Sequence, residues 1–295
     1  MHFLGIDSSK FLGKQEQPLL QQPLKKIKVG RFELLANVAH PVEGYLDKYA
    51  EFARNLPRIA QCIEQKYPQF NIVDVGANIG DTVAVLRSYG VENTIFCIEP
   101  LEGYFRLLEK NMPQFDDVFI YNYWLSDTSK NKVSMNLEVK DGTARYAAEG
   151  QSTSLNEISL DDLVGHQSLK NIKLLKIDTD GFDLKILRGS TKLLEQNHPV
   201  LFFEYDAVYL QNNQENGWET LEKLRDQMGY DTVLFFDNYG RFLCSVYLSN
   251  EQQIKQLLRY IAAYRGKFQY YDMCIFHELD SDLAIKVIEN EEKQP

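Results

Sequence analysis

The stretch N-I-V-D-V-G-A-N-I-G-D-T, residues 71–82, decides the fold. It begins with a short run of β-branched residues, which is typical of a strand buried inside a parallel sheet. The run ends in a turn containing Gly76 and Gly80, and apolar residues with helical spacing follow from Val83. A strand, a turn of small residues and a helix form the ligand-binding corner of an open α/β sheet. The stretch therefore predicts a doubly wound, Rossmann-like α/β domain.

The charged residues around this turn indicate which ligand it holds. The turn has the spacing D-x-G-x-N-x-G instead of the G-x-G-x-x-G of dinucleotide folds. Asp74 would repel a pyrophosphate, but it suits a cation, and S-adenosylmethionine carries an ammonium and a sulfonium group. Glu99 ends a second apolar run, where an acid can accept hydrogen bonds from both ribose hydroxyls. A generic βαβ unit, whose acids only cap helices, is the alternative interpretation.

Five short motifs in order carry a resemblance to a known family: D-V-G-A-N-I-G at 74–80, E-P at 99–100, L-S-D at 125–127, S-L-D-D-L at 159–163 and K-I-D-T-D-G-F-D at 176–183. Together they resemble the FkbM-type family of S-adenosylmethionine-dependent methyltransferases. The resemblance implies a class I methyltransferase fold, with a seven-stranded, mostly parallel sheet whose last strand is antiparallel. It also implies O-methylation of a hydroxyl on a sugar, glycan or polyketide-like small molecule. Asp180 and Asp183 depart from the family pattern D-x-E-G-x-E, because each side chain is one carbon shorter.

The motifs and the turn together give a predicted cofactor site. In class I methyltransferases the segment after strand three lies along the adenine edge, so Asp127 could accept a hydrogen bond from the adenine amino group. A simple aspartate-containing turn is the alternative there. The predicted cofactor-binding residues are Asp74, Gly76, Ala77, Asn78, Gly80, Thr82, Glu99, Pro100, Ser126 and Asp127.

Acidic residues at the ends of strands four and five are the candidates for catalysis. Asp178, Asp180 and Glu204 fall where open α/β sheets bind their ligands. A sugar hydroxyl is a weak nucleophile, so a general base or a divalent cation would help. Asp178 and Asp180 could act as hydrogen-bonding groups or could hold magnesium, whereas Asp183 could instead cap a helix. Lys176 could neutralise these acids in a purely structural arrangement.

The composition limits the classes of partner that we expect. The net charge of −10 argues against nucleic acid and against an anionic membrane surface. Four scattered cysteines without a C-x-x-C pair suggest neither a disulfide framework nor a zinc site. We find no secretory h-region and no apolar run long enough to span a membrane. These features predict a cytoplasmic protein that acts on a small-molecule or glycan acceptor.

The chain divides into a lead segment, 1–70, and a methyltransferase domain, 71–295. The lead segment should begin poorly ordered over 1–23, continue as a hairpin and form helices over 43–55 and 57–66. It could cover the substrate side of the cleft, with His40 within reach, or only pad the sheet edge. In the domain, the pattern predicts a helix from 181 to about 195, a substrate-facing loop over 140–154, and a final antiparallel pair, 240–247 with 270–277.

Three functions remain open from sequence. The first is an active O-methyltransferase, which the acid cluster favours. The second is a module that binds S-adenosylmethionine or a nucleotide without catalysis. The third is an NAD-dependent Rossmann enzyme, which the missing G-x-G-x-x-G and the presence of Asp74 disfavour.

Overall fold

The structure is a computed structural model that describes residues 22–140, 143–146, 151–212, 216–263 and 270–294. Most of the segment predicted to be poorly ordered, 1–23, lies outside these residues. None of the described helices is long and apolar enough to span a membrane.

The lead segment forms a hairpin and two helices. Strands β1 (Leu24–Val29) and β2 (Phe32–Asn37) pair antiparallel, and helices α1 (Val42–Lys48) and α2 (Asn55–Lys66) follow. The first helix is shorter than the predicted 43–55. Pro57 is the third residue of α2, where its missing N–H has no helical partner to lose.

A large sheet forms the centre of the molecule. It contains β3 (Asn71–Val75), β4 (Thr94–Ile98), β5 (Val118–Tyr121), β10 (Ile172–Ile177), β11 (Val200–Tyr205), β12 (Tyr230–Asp237), β13 (Phe242–Tyr247) and β14 (Tyr271–His277). Their order is β13-β12-β14-β11-β10-β3-β4-β5, and the five strands from β11 to β5 are parallel. The predicted fold class is confirmed, with β14 running antiparallel to β11.

The structure differs from the prediction at one end of this sheet. The described residues place eight strands in it, because β13 adds an outer edge to the expected seven. The two last strands do not pair with each other; both pair with β12. A tight turn at Gly240 (φ 82°) folds β13 directly back onto β12, so β14 takes the free position between β12 and β11.

A second, four-stranded sheet lies between β5 and β10 in the chain. It is built from β6 (Trp124–Ser126), β7 (Lys130–Lys140), β8 (Thr143–Tyr146) and β9 (Gln151–Ser159), in the order β6-β9-β7-β8. The predicted loop at 140–154 is therefore largely strand where it is described, whereas residues 141–142 and 147–150 lie outside the described residues.

Helices join these strands. They are α3 (Asp81–Ser88), α4 (Glu102–Asn111), α5 (Leu160–Gln167), α6 (Asp183–Arg188), α7 (Thr191–Asn197), α8 (Ala207–Asn212), α9 (Gly217–Met228), α10 (Glu251–Ala263) and α11 (Ser281–Glu291). The single helix predicted from 181 is wrong, because the chain breaks at Gly189–Ser190 into α6 and α7. Gly189 packs against the Ser126 carbonyl, where a Cβ would lie 2.2 Å from the oxygen.

Candidate active site

A cleft of about 550 Å³ opens at the carboxyl ends of β3, β4 and β10. This is the edge at which open α/β sheets bind ligands. Four of the ten predicted cofactor residues line it: Gly76, Asn78, Glu99 and Pro100. Both predicted carboxylates of the β10 turn, Asp178 and Asp180, line it too.

The turn after β3 is held in a left-handed backbone conformation. Gly76 has φ 79°, Asn78 has φ 49° and Gly80 has φ 89°. The N–H groups of Gly76 and Ala77 both donate to the Ile98 carbonyl, which fixes the turn against β4. A Cβ on Gly76 would lie 1.9 Å from the Asp178 carbonyl oxygen. Glycine is therefore required here for contact between two backbone segments, as well as for the predicted approach of a ligand.

Glu99 forms the floor of the cleft next to this turn. Its side chain is buried, and its two oxygens accept hydrogen bonds from the N–H groups of Asn78 and Leu101, each at 2.9 Å. Burial raises the pKa of the Glu99 carboxyl to about 7, even though both N–H donors act to lower it. The carboxyl is thus held rigidly at the end of β4, as a ribose-binding acid must be.

One wall of the cleft is apolar. Tyr123, Trp124 and Leu125 line it, and Trp124 contacts the ring of Phe182 edge-on at 4.8 Å between centroids. Such a wall suits the face of an adenine ring. The predicted Ser126 and Asp127 follow directly but do not line the cleft. Asp127 lies 3.5 Å from the Arg188 guanidinium instead.

Asp74 has a different partner from the one predicted. It is fully buried, does not line the cleft, and its Oδ1 lies 3.0 Å from Nζ of Lys176. A lysine of the neighbouring strand is thus the cation beside this aspartate, and the contact of Asp74 with the cofactor stays a prediction. Among the other predicted cofactor residues, Ala77, Gly80 and Thr82 also do not line the cleft.

Further carboxyl groups lie next to the cleft, on strands β11 and β14. Ile177 pairs with Phe203, so Asp178 lies next to Glu204, and Glu204 is the direct cross-strand partner of Asp272. Such partners share one face of the sheet. Burial, followed by the charge of Asp178, raises the pKa of both Glu204 and Asp272 well above the ordinary value.

Two further acids complete the turn after β10. Asp180 has φ 50° and lines the cleft. Asp183 is buried, and its Oδ2 accepts hydrogen bonds from the Thr179 hydroxyl and the Gly181 N–H. Burial raises the pKa of Asp183 to about 7. These contacts stabilise the turn before α6 and are not the helix cap considered from sequence, because α6 has no side-chain cap hydrogen bond.

Sequence reasoning missed Asp272. Its only local signal is an acid inside the apolar strand Y-D-M-C-I-F, and that signal does not reveal its neighbour. No group of three or more His, Cys, Asp or Glu side chains suited to a metal ion was found in the described part of the chain. The predicted magnesium site at Asp178 and Asp180 therefore has no support beyond the two aspartates themselves.

Comparison with known proteins identifies the family of this chain. The profile of the methyltransferase FkbM domain matches residues 74–238, more than half of the chain, from Asp74 to one residue past β12. The chain belongs to the FkbM methyltransferase family. Membership implies S-adenosylmethionine as the methyl donor, and the residues present fit it: a left-handed turn, a buried carboxyl at the end of β4 and an apolar wall.

The FkbM methyltransferase also resembles individual proteins. It is 28% identical over 130 residues to the hexuronic acid methyltransferase AglP of Haloferax volcanii, which is 43% of this chain and 53% of AglP. The match thus spans about half the length of that relative. An O-methyltransferase from Bacillus cereus in complex with SAH has 13% identity and a TM-score of 0.40 over 75% of this chain and 80% of its own. A putative caffeoyl-CoA O-methyltransferase from Staphylococcus aureus has 14% identity and a TM-score of 0.39, over 74% and 80% of the two chains.

Proposed function

We propose that this FkbM methyltransferase methylates a hydroxyl group of a sugar, a glycan or a polyketide-like small molecule. The observation that carries the proposal is the row Asp178, Glu204 and Asp272, which leads from the cleft across three adjacent strands. Carboxylates accept hydrogen bonds from hydroxyl groups, and one of them can remove the hydroxyl proton.

Four acids would take two different roles. Asp178 and Asp180 line the cleft, and about half of the Asp178 side chain is exposed, so these two can bind and orient the acceptor hydroxyl. Burial raises the pKa of both Glu204 and Asp272, and a carboxylate with a higher pKa is the stronger base when it is ionised. S-adenosylmethionine supplies a methyl group activated by its sulfonium. Alignment of the acceptor oxygen with that group can contribute several powers of ten in rate.

The charge of the site bears on the acceptor class. AglP is named for a hexuronic acid, which supports a sugar acceptor. Here, Asp178 and Asp180 line the cleft, with Glu204 and Asp272 next to them across the sheet, so an acidic acceptor would bring a further negative charge to an acidic edge. Because like charges repel at close range, this edge favours neutral hydroxyl-bearing acceptors over acidic ones.

The proposal is tested by measuring SAH formation from S-adenosylmethionine with a panel of neutral and uronic-acid glycosides. We expect turnover on a neutral member and a fall of at least about a hundredfold in Glu204→Gln, the usual loss when a general base is removed. Glu219→Gln, at an exposed position on α9, is the matched control. Full turnover in Glu204→Gln would contradict the base role, and turnover confined to uronic acids would contradict the neutral acceptor.

A further inference from the structure

His40 connects the lead segment to the predicted cofactor turn. It lies between β2 and α1, is buried, and its ring meets the Tyr104 ring of α4 edge-on. Its Nδ1 accepts a hydrogen bond from the Val42 N–H at 3.4 Å, and its Nε2 lies 3.2 Å from Asn78 Oδ1. The amide oxygen of Asn78 can only accept, so His40 Nε2 is the donor in this hydrogen bond.

Asn78 connects His40 to Glu99. The backbone N–H of Asn78 donates to Glu99 Oε2, and Asn78 itself has the left-handed conformation that aims this N–H at the carboxylate. Asparagine tolerates this conformation better than most non-glycine residues, but its side chain still needs surrounding contacts to hold it in one orientation. His40 provides such support from outside the sheet.

A second bridge ties the same two regions together. The Asn111 side chain at the end of α4 donates to the carbonyls of Leu35 and Ile79 and accepts from the Leu35 N–H. Leu35 belongs to the hairpin, and Ile79 belongs to the turn. The hairpin is also pressed onto α3, since a Cβ on Gly30 would lie 2.0 Å from Ser88 Oγ. The lead segment is thus tied to the turn at two neighbouring residues: to Asn78 directly through His40, and to Ile79 through Asn111.

We propose that His40 is a positioning residue for the cofactor site, which holds Asn78 so that the Asn78 N–H keeps the Glu99 carboxyl oriented toward the ribose. The inference rests on the proposed use of this cleft for S-adenosylmethionine. The lead segment then does more than pad the sheet edge, because it completes the cofactor turn. His40 acts through Asn78 and Glu99 without contacting the ligand.

The experiment measures SAH affinity by calorimetry on the full chain, with SAH as the probe. His40→Phe keeps a ring against Tyr104 but removes the hydrogen bond, so the Kd should rise about tenfold, the size of one such bond. His40→Gln keeps a donor and should stay within about threefold of the wild type. If His40→Phe does not fold, His40→Ala replaces it, and added imidazole should restore its affinity.

A double-mutant cycle separates positioning from general structural support. In a Glu99→Ala background the path from His40 to the ribose is already broken, so His40→Phe should then change the Kd less than about twofold. Equal affinity in the wild type and His40→Phe would overturn the role of His40 alone. Equal losses in both backgrounds would overturn the path through Glu99. A wild-type protein that binds no SAH would overturn the cofactor assignment and the role of His40 together.

Discussion

Lys176 of β10 and Asp74 of β3 form a buried ion pair across neighbouring strands, with 3.0 Å between Nζ and Oδ1. The Lys176 ammonium also lies 3.4 Å from Asp178 Oδ2, so it links the interior of the sheet to the cleft. The neighbouring carboxylates raise the pKa of Lys176 despite the opposing effect of burial, which keeps the lysine charged. The Lys176 ammonium therefore offsets the charge of two acids: Asp74, which is buried in the sheet, and Asp178, which lines the cleft.

Removal of this lysine should destabilise the protein. Lys176→Met leaves the Asp74 carboxylate buried without its counter-charge, which costs about 3–5 kcal/mol of unfolding free energy in comparable pairs. Urea denaturation measures the change, and Lys223→Met is the control because its ion pair is exposed. The double variant Lys176→Met/Asp74→Asn should recover part of the loss. A loss below about 1 kcal/mol in Lys176→Met would show that the pair does not stabilise the sheet.

Glu99 should contribute strongly to cofactor affinity. Glu99→Ala removes the proposed hydrogen bonds from both ribose hydroxyls, and bonds to a charged group are worth roughly 1.5–3 kcal/mol each. We expect the Kd for S-adenosylmethionine to rise tenfold or more in calorimetry. Glu102→Ala, on the exposed face of α4, should bind like the wild type. Unchanged affinity in a folded Glu99→Ala protein would exclude the ribose role.

The pKa of Glu99 also predicts a pH dependence of binding. Because this pKa is about 7, the carboxyl is protonated below pH 7 and ionised above it. The ionised form is the better acceptor for ribose hydroxyls, so SAH affinity should rise as the pH increases through about 7. Glu99→Gln should show no rise in SAH affinity around pH 7. Subtracting its pH profile from that of the wild type removes the contribution that comes from ionisation of SAH itself. Parallel profiles would contradict the assignment.

The same raised pKa predicts how stability depends on pH. The folded protein retains the Glu99 proton up to about pH 7, whereas the unfolded chain releases it near the ordinary value of 4.5. This group therefore lowers the free energy of unfolding as the pH rises from about 4.5 to 7. Glu99→Gln should flatten that part of the curve in denaturation measured over this range, and an unchanged slope would contradict the raised pKa.

Gly76 and Gly90 provide a matched pair for the turn. Both have φ 79°, but a Cβ on Gly76 would strike the Asp178 carbonyl, whereas a Cβ on Gly90 has no atom within 4 Å. Alanine at either position carries the same left-handed strain, of order 1 kcal/mol. Only Gly76→Ala should lose further stability and weaken SAH binding. Equal melting temperatures and affinities for the two variants would show that the close approach at Gly76 does not matter.

The acids of the β10 turn should affect turnover more than cofactor binding. Asp178→Asn and Asp180→Asn keep shape and remove charge, so SAH affinity should survive while turnover falls at least about a hundredfold. Asp282→Asn, at an exposed position on α11, is the control. If EDTA stops turnover and magnesium restores it, the acids act through a metal; if EDTA has no effect, they act directly. Full activity in both variants would remove them from the mechanism.

The local sequence determined the elements on which the site is built. A β-branched run, a glycine turn and a helical repeat specify β3, the turn and α3 through contacts between residues close in the chain. Glu99 and Asp178 could be assigned to strand ends in the same way, because each directly follows an apolar run. Such a run ends where a buried strand reaches the edge of the sheet that binds ligands. These predictions needed only periodicity and turn chemistry.

Only the tertiary structure decided which of these residues meet. Strand order sets Lys176 beside Asp74 and Asp272 beside Glu204, and no local pattern encodes a pairing between strands far apart in the chain. His40 reaches Asn78 across 38 residues, because the hairpin folds back onto α3 and α4. A carboxylate at a strand end is visible in the sequence, whereas its counter-charge, burial and pKa depend on neighbours supplied by other strands.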